Sequence, residues 1–430
     1  MSEGVVLGLR ANWRQFTLLV VVNAFVGAMV GLERTVLPVM AGTEFGITSA
    51  TAALSFLVTF GLAKAATNLA AGWIVDRGLR RPVLLVGWLL ALPVPVLILN
   101  APSWAWIVAA NALLGAQQGL TWSTTVIMKI DLVGPHRRGL AMGLNEFAGY
   151  VAVGIAGLVG GFLGATYGGR AALGFGGLAV ATGGLALSWF VRDTTAHARV
   201  EARGNAVARP PMRRVLKRSL WADPSLFSIS QAGLVNNLND GLAWGVFPLL
   251  FIGAGLSLRE TGLVTAVYPV TWGLAQLVTG ALSDRWGRKR MIVGGMLLQG
   301  AALIGVAEAE AIADRVLALV GLGIGTALVY PTLLAAIGDV AHPSWRGAAM
   351  GVYRMWRDLG YVAGALLAGM LTDAFGAPAA TTTIGVITAM SGLGVAVRLR
   401  ETRPMSGGLI AEAASPPERG VLMAWFERPV

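Results

Sequence analysis

Apolar residues run along this chain in long unbroken stretches, and short polar segments punctuate them. Twelve stretches are long enough to cross a bilayer as helices: 16–39, 50–75, 83–99, 104–128, 140–166, 171–191, 226–252, 261–282, 291–307, 316–337, 348–371 and 381–397. A spanning helix needs about 20 mostly apolar residues. Each run is too long and too continuously apolar for a barrel strand, in which lipid-facing and lumen-facing residues alternate. Pro93, Pro95 and Pro331 interrupt runs without ending them, as kinked membrane helices allow. No cleavable leader is expected, because the first run far exceeds the apolar core of a signal peptide and no small-residue cleavage site follows it.

Composition agrees. Hydrophobic residues make up 55% of the 430 and charged residues 13%, about half the charge of a soluble domain. The 58 glycines suit close helix contact in lipid. Cysteine is absent, which excludes disulfides, thiolate metal sites and cysteine nucleophiles. His136, His197 and His342 lie in polar segments, so neither a metal site nor a cofactor is expected. Gly321-Leu-Gly323-Ile-Gly325 lies within an apolar run and follows no strand, so it reads as packing and not as nucleotide binding. No paired catalytic constellation is evident, and an enzyme is not expected.

The net charge of +11 would suggest nucleic acid in a soluble protein, but its distribution points to a membrane. With twelve spans both termini share one side. That side receives 26 of the 33 Lys and Arg, four lie within spans, and the other side holds only Arg170, Arg259 and Arg315. By the positive-inside rule both termini are cytoplasmic, in a plasma (inner) membrane. The basic surface faces anionic lipid, and no nucleic-acid partner is expected.

The chain repeats itself. Gly72-x3-Asp76-Arg77-x2-Arg80-Arg81 returns as Gly280-x3-Asp284-Arg285-x2-Arg288-Lys289, and Asp131-x3-Pro135-x2-Arg138-Gly139 returns as Asp339-x3-Pro343-x2-Arg346-Gly347, both at an offset of 208. Gly31-Leu32 with Pro38 returns as Gly241-Leu242 with Pro248. The expected fold is an all-α integral membrane protein of twelve transmembrane helices in two pseudo-symmetric halves. Residues 1–191 form the N-terminal six-helix half, 192–225 a basic cytoplasmic linker, 226–397 the C-terminal half and 398–430 a cytoplasmic tail. Parallel repeats about an axis along the membrane normal place a binding site between them near mid-membrane.

Gly280-Ala-Leu-Ser-Asp284-Arg285-Trp-Gly287-Arg288-Lys289-Arg290 resembles the signature that the major facilitator superfamily carries between helices 2 and 3 and again between 8 and 9. The Arg-Gly-x-Ala-x-Gly runs entering helices 5 and 11 are also similar to that family. The first copy of the signature departs, with Leu79 where the second glycine is usual. The resemblance covers about residues 14–400 and implies a secondary transporter, with helices 3, 6, 9 and 12 outermost. Exporters of that family often carry Gly-Pro-x-x-Gly-Gly in helix 5; this chain has Ala156-Gly157-Leu158-Val159-Gly160-Gly161, and Asn111 stands where helix 4 usually has arginine. Independently of the family, Gly72, Asp76, Arg77, Arg80 and Arg81, with Gly280, Asp284, Arg285, Gly287, Arg288 and Lys289, place charge at helix ends, where it can latch one arrangement of the halves.

Eight ionisable residues fall inside spans: Glu33, Arg34, Lys64, Glu146, Asp240, Arg354, Arg357 and Asp358. Facing lipid they would cost on the order of 20–28 kcal/mol together, so they must face a cavity or one another. Glu33 and Arg34 are adjacent and point about 100° apart; Lys64 is a candidate partner for Glu33. Arg354 and Asp358 are spaced to pair on one helix, which leaves Arg357, near Tyr361, for an anionic solute group. Asn236, Asn239 and Asp240 share a flank, and a desolvated carboxyl can take up and release a proton. Asp240, then Glu33 and Asp358, are the proton-coupling candidates, whereas Glu146, nearer the cytoplasmic end, reads as structural or gating. Candidate solute contacts are Arg34, Lys64, Arg357, Asn236, Asn239, Gln117, Gln118, Trp122, Tyr268, Trp272, Gln276, Tyr330 and Tyr361. The expected function is alternating-access, proton-coupled export of a small polar or amphiphilic organic solute. Uptake or exchange of a small anion is a second reading, and a non-transporting receptor or scaffold a third. The expected partners are that solute and the bilayer, with no oligomer required.

Overall fold

In a computed structural model, residues 5–75, 79–133, 138–202, 211–340 and 346–402 are described. Among them there is no strand. Twelve long helices follow one another: α1 Trp13–Phe45, α2 Ser55–Val75, α3 Arg80–Leu99, α4 Trp104–Val133, α5 Arg138–Tyr167, α6 Gly169–Trp189, α7 Pro224–Gly253, α8 Leu258–Trp286, α9 Arg288–Glu308, α10 Ile312–Val340, α11 Arg346–Phe375 and α12 Ala377–Arg398. Eight are long and apolar enough to span a membrane by length and composition. The other four, α2, α4, α7 and α11, carry amide or charged residues within their apolar stretches.

Local chemistry sets the ends. Asp223 accepts from the amides of Ser225 and Leu226 and caps α7, with Pro224 at its first position. Ser257 and Glu260 form a reciprocal capping box at α8. α3 is broken at Leu92 because Pro93 has no N–H to continue the helix. Between the halves run a helix at Thr195–Ala202, another at Met212–Lys217 and a π turn at Arg218–Ala222. We call the end of the molecule bearing this segment the linker face and the other the far face.

Helix contacts obey the repeat. Within the N-terminal half α1 packs on α5, α2 on α4 and α3 on α4; within the C-terminal half α7 packs on α11, α8 on α10 and α9 on α10. Between the halves α5 packs on α8 and α2 on α11, each contact mapping onto the other when the halves exchange places, and α1 meets α7. This is the pseudo-two-fold arrangement. The halves come close because the facing backbone is bare: a Cβ on Gly161 would lie 3.0 Å from the Cα of Gly262 and 3.0 Å from the carbonyl oxygen of Leu258. Large apolar side chains exposed on α3, α6 and α12, such as Leu89, Phe175, Met390 and Val397, form the lipid-facing surface.

At the far face Asp373, just beyond the apolar stretch of α11, receives the Ser49 hydroxyl at 2.8 Å and the amides of Ala50 and Thr51 at 2.5 and 3.0 Å. One carboxylate of the C-terminal half thus caps the turn that leads into α2. The halves are closed together here.

Candidate functional site

Two charged clusters bridge the halves at mid-depth. In the first, Arg34 of α1 and Asp240 of α7 form an ion pair, Nη2 to Oδ2 3.1 Å. The Tyr361 hydroxyl of α11 donates to the same oxygen, and the Arg34 guanidinium lies 5.2 Å from the ring centroid of Trp244. In the second, Arg357 pairs with Asp358 at 3.1 Å, donates to the Tyr150 hydroxyl of α5 at 3.0 Å and lies 4.4 Å from the Tyr330 ring centroid. The Asn68 amide of α2 donates to Asp358, and Ser123 of α4 donates to Asn68 at 2.5 Å. Any movement of one half against the other must break or exchange these bonds. Removing one member of such a buried pair costs about 3–5 kcal/mol, because the other charge is stranded.

Lys64 stands between the clusters. Its ammonium lies 5.0, 5.5 and 5.7 Å from the ring centroids of Tyr361, Phe60 and Trp122. Among the described residues it forms no ion pair or hydrogen bond, although it is only 7% exposed. Aromatic faces attract a cation but leave its N–H groups free to donate. Beside it, Tyr150 and Trp272 lie 3.5 Å apart by centroid, tilted by 32°, and Tyr268 stacks on Trp272 at 5.8 Å. The Trp272 indole N–H and the Gln276 amide nitrogen, both buried, have no partner. A narrow cleft opens between α1, α5, α7 and α8, bordered by Arg34, Trp244, Tyr268 and Pro269.

Several expected partnerships fall out differently. Lys64 does not meet Glu33, which turns into the N-terminal half against α3, α4 and α6. Asp358 takes Arg357, its chain neighbour, and not Arg354; Arg354 reaches the Ser123 hydroxyl at 3.4 Å. Arg357 is therefore committed. Asn236 and Asn239 do not join Asp240 at the seam. Gln299 of α9 accepts from Asn239 at 2.9 Å and donates to Asn236 at 3.1 Å, while Thr388 of α12 donates to Asn239 at 2.7 Å. Residues three and four apart lie within about 60° of each other, which is wide enough for a helix packed on two sides to split them between neighbours. Gln117 and Gln118 likewise lie inside the N-terminal half: Gln118 donates to the Val26 carbonyl at 2.8 Å and to Gln117, which donates to Thr121. Glu146 accepts from Trp122 at 3.2 Å and from Asn145 at 2.9 Å, and Lys129 donates to Asn145 and to the Leu19 carbonyl.

Asn68, Tyr150 and Trp244 are participants that the reading of intramembrane charge passed over. Each lies four residues after a charge that it had noted, Lys64, Glu146 and Asp240 respectively, so one more turn of helix would have found them.

The turns at the linker face hold identical latches. In the N-terminal half Arg80 pairs with Asp131 at 2.5 Å, Thr194 donates to Asp131 at 2.6 Å, and Asp193 accepts the Arg81 amide at 3.1 Å. In the C-terminal half Arg288 pairs with Asp339 at 3.1 Å, Thr402 donates to Asp339 at 3.4 Å, and Glu401 accepts the amides of Arg288 and Lys289 at 2.8 and 3.2 Å. Every member corresponds at the offset of 208, and Arg192-Asp193-Thr194 and Arg400-Glu401-Thr402 extend the sequence repeat by another element. These bonds join helices within one half. Gly72 and Gly280 lie within α2 and α8, and Arg285 at the exposed end of α8 is engaged in further interactions. Asp76, Arg77 and the side chain of Asp284 lie outside the described residues. Gly287 has φ of +91°, whereas Leu79, its counterpart, has φ of −106°. Leu79 thus holds a backbone angle that a side chain tolerates, and this accounts for the departure from the signature.

The sequence profile of the Major Facilitator Superfamily matches residues 19–238 and 229–428. An uncharacterized MFS-type transporter, YddS of Bacillus subtilis, is 34% identical over 119 residues, 27% of each chain. Multidrug resistance protein MdtH of Aeromonas hydrophila is 32% identical over 128 residues, 27% of this chain and 32% of that protein. Citrate exporter 1 of Aspergillus niger is 24% identical over 180 residues, 42% of this chain and 34% of that protein. These matches span about a third of the relatives' length or less. Among solved structures, the human organic anion transporter MFSD10 superposes with a TM-score of 0.64 at 18% identity, covering 89% of this chain and 99% of that one. The peptide transporter POT, as an E310Q mutant with alafosfalin, gives 0.69 at 15%, covering 89% and 93%. The twelve-helix pseudo-symmetric fold, the repeated signature and the two matched halves agree: the chain is a multi-pass membrane protein and belongs to the Major Facilitator Superfamily.

Proposed function

We propose that the protein is a proton-coupled secondary transporter that carries a small organic anion between its halves by alternating access. One observation carries this reading: Lys64, buried at the seam within a cage of aromatic rings, forms no ion pair or hydrogen bond among the described residues, and the carboxylates whose charge reaches it, Asp358 and Asp240, are each bonded to an arginine. A desolvated ammonium that shares its counter-charges with two arginines is costly and invites an anion to complete it, while Trp122, Tyr361 and the Tyr150–Trp272–Tyr268 stack offer apolar faces to the rest of the solute. Arg34 and Arg357 flank this position, each already holding one carboxylate. Protonating Asp240 releases Arg34 toward the solute, so proton and anion are bound together and travel together. Asp358 plays the same part for Arg357. Asn236, Asn239, Gln117 and Gln118 drop out of the solute contacts, because they face the interiors of the halves.

In this reading the linker face is cytoplasmic, by the excess of Lys and Arg, the membrane is the inner membrane, and a single chain suffices. The name of citrate exporter 1 supports outward transport. An anion accumulated by metabolism then drives its own exit.

The test is flux in liposomes of the purified protein, loaded with mono-, di- and tricarboxylates in turn. At least one should show counterflow together with proton movement. D240N should abolish proton-driven accumulation and keep anion exchange. If driven flux persists unchanged in D240N, the coupling assignment is wrong; if organic cations move and anions do not, the solute class is wrong. Absence of any flux across the panel would favour the scaffold.

A further inference from the structure

Glu33 precedes Arg34 in the chain but faces away from the seam. It is 2% exposed, and one carboxyl oxygen, Oε2, meets no donor. The amide of Asn111 on α4 is its polar neighbour, and the Asn111 Oδ1 is itself unpartnered. Glu33 lines a narrow cleft together with Val94, Pro95 and Ile98 of α3 and Leu173 and Gly177 of α6. Charged residues on the packed elements are engaged elsewhere: Arg34 with Asp240, Arg80 with Asp131, Arg81 with the Trp189 carbonyl, Lys129 with Asn145, and Arg170 with Glu44. Among the described residues none of them faces Glu33.

A carboxylate stranded in an apolar half-core costs several kcal/mol, and a carboxylic acid does not. Among the side chains that line the cleft only Glu33 carries oxygen, far short of the six or more oxygens that a hard metal cation takes. A proton is the ligand that fits. We propose that Glu33 is a proton-binding site built inside the N-terminal half, separate from the clusters at the seam. Losing that proton requires water to enter the cleft. α3 is interrupted at this level, where Pro93 and Pro95 remove two helical N–H donors, so it is the wall that gives way. Ionisation of Glu33 is thereby tied to the packing of α3 against α4 and α6, and not to solute at Lys64. The proposal does not depend on the solute assigned above.

Infrared spectroscopy of the full-length protein in lipid nanodiscs tests it without any solute. At neutral pH the spectrum should hold a protonated-carboxyl C=O band that shifts on labelling with carbon-13 glutamate, is missing in E33Q, and persists in D240N, D358N and E146Q. Should E33Q fail to fold, E33D serves: the band moves out of the glutamate-labelled set and into the aspartate-labelled one. A wild-type spectrum with no label-sensitive band, or one that E33Q leaves intact, overturns the assignment. A band that ignores the glutamate label and is lost in D240N places the proton at the seam and overturns the assignment as well.

Discussion

Lys64 and the Arg34–Asp240 pair show how differently buried charge can be held. Lys64 breaks no bond when replaced, so K64M should fold as well as the native chain. It should lose about 10- to 100-fold in anion affinity, the worth of one hydrogen bond to a charged group. Calorimetry with the transported anion measures this, and unchanged affinity would remove Lys64 from the site. Arg34 and Asp240 stand or fall together. D240N leaves Arg34 without a counter-charge and should lower stability by about 3–5 kcal/mol; R34Q/D240N strands nothing and should recover much of that loss. Thermal unfolding in detergent decides between them, because two independent residues would add their losses. At this scale the chain announced which side chains are buried and charged. It did not announce partners: Asp240 was legible as a lone carboxyl, but its arginine is 206 residues away in sequence, on a helix whose distance no local spacing encodes.

For the helices, the far face is where the two halves meet most directly. Desolvation pushes the Asp373 carboxyl up, but the bonds from Thr51, Ser49 and Ala50 together outweigh it and hold the carboxyl down at about 2. A depressed carboxylate contributes where it is ionised, and that contribution is lost as pH falls through the folded value. Closure of the far face should therefore survive mild acid and fail only near pH 2, whereas D373N should loosen it at neutral pH. Because the chain has no cysteine, a single cysteine at Thr51 can read this by its rate of thiol labelling without background. A Cβ on Gly369 would lie 2.7 Å from the Cα of Thr51, closer than a side chain can sit, so G369A should wedge the face apart and speed labelling of T51C. D373N should speed it as well; an unchanged rate would show that Asp373 does not hold this face. The helices themselves were plain in the sequence as apolar runs with proline and glycine punctuation. The cap that a carboxylate of α11 places on the turn before α2 was not, since capping across halves has no signature in either segment alone.

The whole molecule is two latched units that meet along a seam. Arg80–Asp131–Thr194 and Arg288–Asp339–Thr402 fasten helices within each half, which lets a half move as one body while the bonds at the seam exchange. D131N and D339N should each cost on the order of 1–3 kcal/mol, from a buried arginine that loses its carboxylate. Both should lower the unfolding midpoint measured by intrinsic fluorescence. A loss confined to one of them would show that the two copies have diverged in what they hold.

The sequence by itself determined the number of spans, the duplication, the excess of Lys and Arg on one side and the set of charges that lipid would not accept. Those properties depend on composition and on spacing along one helix, and both survive without neighbours. Only the tertiary structure decided which way Glu33 and Arg34 turn, that Asn236 and Asn239 serve their own half, and that Lys64 is left with rings in place of an acid. Partnership between buried groups depends on distances between helices remote in the chain. Those distances come from how twelve apolar rods pack, and no single rod carries them.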